Sequence, residues 1–230
     1  MNPVILLHGA LGTSDQLKPL ADILETDQPI HLMNFEAHGT ASIPDRPFRM
    51  ENFTENVLKY MDERNLEKVH LFGYSMGGYV AMYLARYYPE RVEKISTLGT
   101  VLKWNSSIAE REVKFLNPDK IKLKVPKFAE ELNKRHPAGW QKVTLKTKDL
   151  LLDLGKNPRI KDREWSEITH NIRIHVGDSD STAGLQQSIE VYNELQNGEL
   201  TVLPDTPHPI GKVNLKLLAV SLDGFFDTDS

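Results

Sequence analysis

Ser75 lies between Gly73 and Gly77 in the sequence GYSMG, a spacing at which a serine hydroxyl can act as a nucleophile. In this G-x-S-x-G pattern the serine occupies a sharp strand-to-helix turn, which side chains two residues to either side would crowd. The pattern is short and recurs by chance, so the sequences on either side must show whether it forms a strand-to-helix turn. The run VHLF precedes it and the helical pattern MGGYVAMYLA follows it. This context favours a nucleophile over the alternative, a tight turn with a solvated serine.

A serine hydroxyl needs a base to take its proton and an acid that orients the base. On an α/β scaffold these partners follow the serine in the order acid, then histidine, at the carboxyl ends of later strands. GDSDS, after NIRIHV, offers Asp178 and Asp180, and DTPHPIG, after ELTVLP, offers His208. We therefore predict Ser75, Asp180 and His208 as catalytic residues. Asp178 is the alternative acid, since either aspartate could instead bind backbone amides in the turn.

Attack on a carbonyl group creates a negatively charged oxygen that backbone N–H groups stabilise, and the loss of one donor costs about 3 kcal/mol. The first predicted donor is the N–H of Met76, which follows the nucleophile at a helix N-terminus. The second lies in the loop HGALG, residues 8–12, where glycines allow close approach of the backbone. We assign this second oxyanion-hole donor to Ala10.

The other histidines are predicted to have structural or surface positions. His70 and His175 lie inside predicted strands, so we expect packed side chains. His31 begins a strand, whereas His136 and His170 lie within or beside a polar segment. We expect these three side chains to face solvent.

The elements that position these residues alternate between short apolar runs and helical patterns. This β–α order is typical of a parallel sheet with helices on both faces. The predicted strands are residues 4–7, 30–35, 68–73, 91–99, 171–177 and 199–204. The predicted helices between and after them are residues 14–26, 50–65, 76–89, 185–196 and 213–226.

The alternation stops between residues 101 and 166. This segment has 16 lysines and arginines against 9 acidic residues, and helical patterns at 108–116, 127–136 and 139–154. We predict an α/β core of residues 1–100 and 167–230 with a helical lid insertion at 101–166. The excess of positive charge belongs either to solvated helix faces or to a pocket biased toward anionic substrates.

Composition excludes several other classes of protein. The chain has 230 residues, a net charge of −4 and no cysteine, which rules out disulfides and thiolate chemistry. The absence of an apolar run of about 18 residues argues against a membrane span. The sequence MNPVILLHGALG lacks the basic start and long apolar run of a signal peptide. We expect a cytoplasmic protein with a small-molecule partner, neither nucleic acid nor membrane, and the oligomeric state is left open.

These motifs together resemble the α/β-hydrolase family, particularly small members with a helical cap. VILLHGALGT resembles the family's strand followed by the HG oxyanion loop, and FGYSMGG resembles its nucleophile turn. GDSD is similar to the G-x-x-D acid motif, which points to Asp180. NFEAHGTAS resembles D-x-x-G-H-G-x-S with Asn34 and Ala37 in place of Asp and Gly, and Pro207 replaces the frequent glycine before the histidine. Since the chain begins at the family's third strand, the resemblance implies about six strands.

The resemblance implies hydrolysis without a metal or cofactor, through an acyl-enzyme on Ser75. A serine at this turn argues against the branches that use an aspartate nucleophile. We predict cleavage of a carboxylic ester or a thioester. The alternatives are a C–C hydrolase or lyase of the same fold, to which menaquinone-pathway synthases with a similar turn belong, and a small-ligand-binding or signalling protein on this scaffold.

Overall fold

Six parallel strands form the centre of the fold in the computed structural model, which describes residues 2–227. The order across the sheet is β2-β1-β3-β4-β5-β6. The strands are β1 (Val4–Leu7), β2 (Ile30–Met33), β3 (Val69–Tyr74), β4 (Val92–Leu98), β5 (Asn171–Gly177) and β6 (Gly198–Leu203). The predicted fold class, a six-stranded mostly parallel sheet flanked by helices, is confirmed, and every strand lies within two residues of its predicted bounds.

Helices cover both faces of this sheet. They are α1 (Lys18–Ala21), α2 (Met50–Asp62), α3 (Met76–Tyr87), α4 (Ser106–Val113), α5 (Pro118–Lys124), α6 (Pro126–Arg135), α7 (Trp140–Lys156), α8 (Leu185–Glu194) and α9 (Leu215–Phe226). In β1, Val4 and Leu6 pack in one apolar cluster with α1 and α9, whereas Ile5 and Leu7 pack in another with α2, α3 and α8. Successive side chains of a strand point to opposite faces, so a strand buried on both faces has a continuous apolar sequence.

The first helix is shorter than the predicted range 14–26, and that prediction is wrong at its C-terminal end. The chain forms a 3-10 turn at Ser14–Leu17 and then the single α-helical turn of α1. Beyond α1 the backbone N–H of Glu25 donates to Asp223 of α9 at 3.1 Å, and the hydroxyl of Thr26 donates to Asp227 at 2.6 Å. These hydrogen bonds to the last helix replace the ones that a longer α1 would have made.

The segment 101–166, between β4 and β5, holds α4 to α7. Close packing of α4 on α7 is possible because Gly155 lacks a side chain, since a Cβ there would lie 2.4 Å from the Cβ of Ala109. The helix α5 was not predicted, because it has only seven residues and its apolar pattern spans less than two turns. Its start is set by Asn117, whose side chain accepts a hydrogen bond from the N–H of Lys120 at 3.0 Å.

Of the predictions about five histidines, two are confirmed and one is wrong, while His31 and His170 are half-buried. His70 and His175 are buried in strands as expected. His136 is also buried, with 1% of its surface exposed, although it was predicted to face solvent. It follows the last residue of α6, and its ring bonds to two loops of the core, at Leu11 and Gly39. The local sequence does not reveal these contacts. Within residues 2–227 no helix is both long and apolar enough to cross a bilayer.

Burial of His175 makes the stability of the fold sensitive to acid. Its ring nitrogens contact the hydroxyls of Ser96 at 3.1 Å and Ser221 at 2.8 Å. Loss of hydration, followed by the positive charge of Arg173, lowers the pKa of His175 from 6.5 to about 3. Between these two values the unfolded chain binds a proton that the folded chain does not, so the free energy of unfolding falls as pH falls through this window.

We predict that His175→Gln reduces the pH dependence of stability between pH 6.5 and 5 by about 1 kcal/mol per pH unit on average. The measurement is urea denaturation at several pH values, compared by slope because the substitution also changes stability at neutral pH. His170→Gln, at a partly exposed site, is the control for replacing a histidine. Parallel slopes for wild type and His175→Gln would contradict the prediction.

Candidate active site

Ser75 lies at the junction of β3 and α3 in a backbone conformation that side chains rarely adopt, with φ 52° and ψ −117°. Such conformations cost on the order of 1–3 kcal/mol and persist only where the surroundings enforce them. Here the N–H of Ser75 donates to the carbonyl of Leu98 in β4 at 2.8 Å. The carbonyl of Ser75 accepts from the N–H of Gly78 at 3.0 Å, which fixes the first turn of α3.

The glycines around Ser75 allow this turn to pack against the sheet. A Cβ on Gly73 would lie 2.4 Å from backbone atoms of Gly78, and a Cβ on Gly77 would lie 2.3 Å from the carbonyl oxygen of Leu7 in β1. Each distance is far below van der Waals contact. The G-x-S-x-G spacing is therefore a steric requirement of this turn, as the sequence predicted.

The structure brings Ser75, His208 and Asp180 into one hydrogen-bonded row. The Ser75 hydroxyl lies 3.3 Å from Nε2 of His208, and Nδ1 of His208 lies 2.9 Å from Oδ2 of Asp180. The three residues follow β3, β6 and β5 at the carboxyl edge of the sheet. In this geometry neutral His208 donates to the carboxylate and presents a free lone pair to the hydroxyl.

Asp180 is held rigidly and kept ionised. Its Oδ1 accepts hydrogen bonds from the N–H groups of Thr182 and Ala183, both at 2.9 Å. Burial works to raise the pKa of Asp180, but the hydrogen bonds from His208 and these two amides outweigh it, so the pKa lies below its usual value. A carboxylate in this state can orient an imidazole and stabilise its cation.

Asp178 has a different environment from Asp180. Its carboxylate is exposed and accepts from the N–H groups of Asp205 at 3.0 Å and Thr206 at 3.1 Å. These backbone hydrogen bonds lower the pKa of Asp178. Asp178 thus binds the loop that leads from β6 to His208 and does not contact the imidazole, which is the backbone role that the sequence left open for one of the two aspartates.

Two residues near His208 were not identified from the sequence. The hydroxyl of Tyr74 donates to the backbone carbonyl of His208 at 3.0 Å. Gly99, at the end of β4 with φ 58°, lies beneath the row, where a Cβ would be 2.9 Å from Oδ2 of Asp180 and 3.3 Å from Nδ1 of His208. A glycine directly after the strand-forming run that ends at Leu98 was a possible signal for the role of Gly99. Nothing in the local sequence indicates the contact of Tyr74.

The two predicted oxyanion donors, Ala10 and Met76, line the same cavity as Ser75. Met76 is the first residue of α3, where an N–H has no acceptor within the helix. Ala10 belongs to the loop of residues 8–12, and a Cβ on the preceding Gly9 would lie 3.1 Å from the Cβ of Ser75. The loop backbone therefore approaches the serine closely, as the glycine-rich sequence HGALG predicted.

This cavity has a volume of about 240 Å³ and a mostly apolar lining. The segment 101–166 contributes Val101, Trp104, Glu112, Phe115, Leu116 and Leu151 to it. Among the described residues its lining contains Glu112 and neither lysine nor arginine, so none of the positive side chains of the segment lines it. Of the two alternatives for this charge, the lining favours solvated helix faces over a pocket biased toward anionic substrates. Within residues 2–227 no group of histidine and carboxylate side chains has the arrangement of a metal site.

A family model described as the alpha/beta hydrolase fold matches residues 2–142, more than half of the chain. The chain belongs to the α/β-hydrolase family. Its predicted family membership is therefore confirmed.

The chain is similar to proteins with several named activities. It is 29% identical over 124 residues to a proline iminopeptidase of Lactobacillus acidophilus, and the matched region covers 50% of this chain and 42% of the relative. It is 28% identical over 111 residues to 3-oxoadipate enol-lactonase 1 of Acinetobacter baylyi, with 45% and 41% covered. A thermophilic esterase from Thermogutta terrifontis has the same fold, with a TM-score of 0.79, 17% identity and coverage of 98% and 89%. The chain spans about two fifths of the length of the two sequence relatives.

We predict that Gly77→Ala lowers the free energy of unfolding by at least about 2 kcal/mol, because its Cβ would meet the Leu7 carbonyl and force the backbone apart. Gly224→Ala is the matched control: it lies inside α9 with nothing within 4 Å of the added Cβ, so it should stabilise by up to about 1 kcal/mol. Both values can be measured by urea denaturation. Equal effects of the two substitutions would contradict the steric account of the turn.

Proposed function

We propose that this protein is a serine hydrolase that cleaves a carboxylic ester or a thioester through an acyl-enzyme on Ser75. The observation that carries the proposal is the hydrogen-bonded row of Ser75, His208 and Asp180, of which Ser75 and His208 line a mostly apolar cavity. A nucleophile, a base and an orienting acid in contact are the groups that acyl transfer to serine requires.

The proposed reaction has two halves with the same base. Nε2 of His208 takes the proton of the Ser75 hydroxyl while its oxygen attacks the carbonyl carbon, and the N–H groups of Ala10 and Met76 stabilise the oxyanion. The imidazolium then gives its proton to the departing alcohol or thiol as the bond to the carbonyl carbon breaks. Water, deprotonated by His208, attacks the acyl group in turn and releases the acid and free Ser75.

The cavity supports a small and uncharged acyl group. Its volume of about 240 Å³ lies below the 300–1,000 Å³ typical of sites for drug-sized ligands. Apolar side chains dominate the lining, among them Val101 and Leu116 from the segment 101–166. We propose that this segment is a lid that separates the acyl group from bulk water. Among simple substrates we expect acetate and butyrate esters to be turned over faster than long-chain esters.

We predict that Ser75→Ala abolishes ester turnover and reaction with a fluorophosphonate probe, while the protein stays folded. Residues that act as a unit lose nearly all their catalysis when one is removed, with reductions of the order of 10⁶ in kcat. The measurements are hydrolysis of p-nitrophenyl acetate and butyrate, probe labelling with mass spectrometry of the modified peptide, and circular dichroism of both proteins.

The controls separate this proposal from its alternatives. Turnover retained by Ser75→Ala, with contamination excluded, would overturn the acyl-enzyme on Ser75. Labelling of wild-type Ser75 without turnover of any ester or thioester would favour a ligand-binding protein, and turnover of 1,3-diketones in preference to esters would favour C–C hydrolysis.

We predict that Asp180→Asn and Asp178→Asn differ strongly in their effect on catalysis. By analogy with other triads, Asp180→Asn should reduce kcat by about 10⁴, because the amide no longer holds the required imidazole tautomer. Asp178→Asn should cost far less, since its carboxylate binds only backbone amides of the loop and the Ser179 hydroxyl. Steady-state kinetics of both folded variants provide the comparison. The reverse ranking would assign the acid role to Asp178.

A further inference from the structure

His136 lies in the segment 101–166 but bonds to two loops of the α/β core. Its Nε2 lies 3.0 Å from the carbonyl oxygen of Leu11, and its Nδ1 lies 3.1 Å from the backbone nitrogen of Gly39. The residue is buried at the C-terminus of α6. Its ring thus joins the end of a lid helix to the loop that carries Ala10.

These contacts define the protonation state of the ring. The carbonyl of Leu11 can only accept, so Nε2 carries the hydrogen and donates it. The N–H of Gly39 can only donate, so Nδ1 is unprotonated and accepts. Burial lowers the pKa of His136 below 6.5, in agreement with a neutral ring. The imidazole therefore makes one directed hydrogen bond to each loop.

The loop bound by His136 contains a strained residue. The N–H of Gly12 donates to the carbonyl of Gly9 at 3.0 Å, which closes a tight turn with Ala10 and Leu11 at its centre. Leu11 has φ 57°, a left-handed conformation that is unfavourable for a side chain of this size. Positive φ at such a residue costs free energy, so we infer that partners outside the turn help to hold Leu11 and its neighbouring peptide groups in this orientation.

The Leu11 carbonyl is held from the lid on two sides. Besides His136, the guanidinium of Arg135 donates to the same oxygen at 3.3 Å. Both Ala10 and Leu11 line the cavity beside Ser75. Since oxyanion donors act only when they are held within a fraction of an ångström of the reacting oxygen, the orientation of this turn bears directly on the reaction.

We infer that His136 is a positioning residue for the reaction of Ser75: it holds the Leu11 carbonyl from the lid and thereby fixes the Ala10 N–H toward the oxyanion. The inference rests on the proposed serine-hydrolase function. If His136 has this role, fast catalysis requires α6 to be packed on the core. The reason is that His136 and the oxyanion loop of residues 8–12 belong to different parts of the chain.

A pair of substitutions tests this role. The amide N–H of glutamine reaches the position of the imidazole Nε2, so His136→Gln keeps the donor for Leu11. Asparagine places its amide near the position of Nδ1, so His136→Asn keeps an acceptor for Gly39 and loses the donor. Each variant loses one of the two hydrogen bonds. If the role of His136 were purely structural, the two variants would have similar kcat values.

The expected result is a difference in kcat and not in KM. His136→Asn should reduce kcat for p-nitrophenyl butyrate about 10- to 100-fold with KM changed less than about threefold, since the loss of a whole oxyanion donor costs 10²–10³. His136→Gln should stay within about threefold of wild type. Equal kcat values for the two folded variants, or a raised KM at unchanged kcat, would overturn the inference.

Arg135 supplies a second test that leaves the buried ring intact. Arg135→Gln should lower kcat about two- to fivefold, whereas Lys134→Gln, on an exposed neighbour in α6, should leave it unchanged. Equal kcat values for these two variants would also contradict the inference.

Wild-type protein that neither hydrolyses esters nor labels at Ser75 would overturn the proposed function itself. Active wild-type protein whose variants have indistinguishable kcat values would overturn only the role of His136.

Discussion

The strained backbone at Ser75 is the constraint on which the rest of the site depends. A serine with φ 52° exists there because β1, β4 and the first turn of α3 leave the chain no other conformation. The carbonyl of Leu7 lies where a side chain on Gly77 would be, so the first turn of α3 packs directly against the carboxyl end of β1. Strain of this kind is stable only when surrounding packing supplies more free energy than the strain costs. The buried strands of the sheet provide that packing. The strained turn places Ser75 in the lining of the cavity.

The same sheet edge explains how two nearby aspartates acquire different environments. Asp180 turns inward to His208 and two amide groups, whereas Asp178 faces solvent and binds the loop before His208. Both keep an ionised carboxylate, but only the buried one can share its charge with an imidazole. Gly99 leaves space for that contact because it has no side chain at the end of the neighbouring strand β4. The geometry is therefore a property of four neighbouring strand ends together.

The segment 101–166 is tied to this core at specific points and not only by apolar packing. Six of its residues line the cavity, and the end of its helix α6 bonds to the loop beside Ser75 through His136 and Arg135. Members of the α/β-hydrolase family differ in named activity, as the peptidase, lactonase and esterase similar to this chain illustrate. The fold is common to such proteins, so the differences in activity reside in the loops and helices above the strand ends. In this chain those elements form a small cavity whose lining is mostly apolar.

The sequence by itself determined the alternation of strands and helices, the turn at Ser75 and the order in which Asp180 and His208 follow it. Those features are local, since buried strands have continuous apolar runs and a tight turn requires glycine at fixed positions. Tertiary structure decided which aspartate meets the imidazole, why α1 ends early against α9, and that His136 is buried. Each of these outcomes depends on contacts between residues far apart in the chain, and periodicity and composition carry no information about such contacts until the sheet has brought its strand ends together.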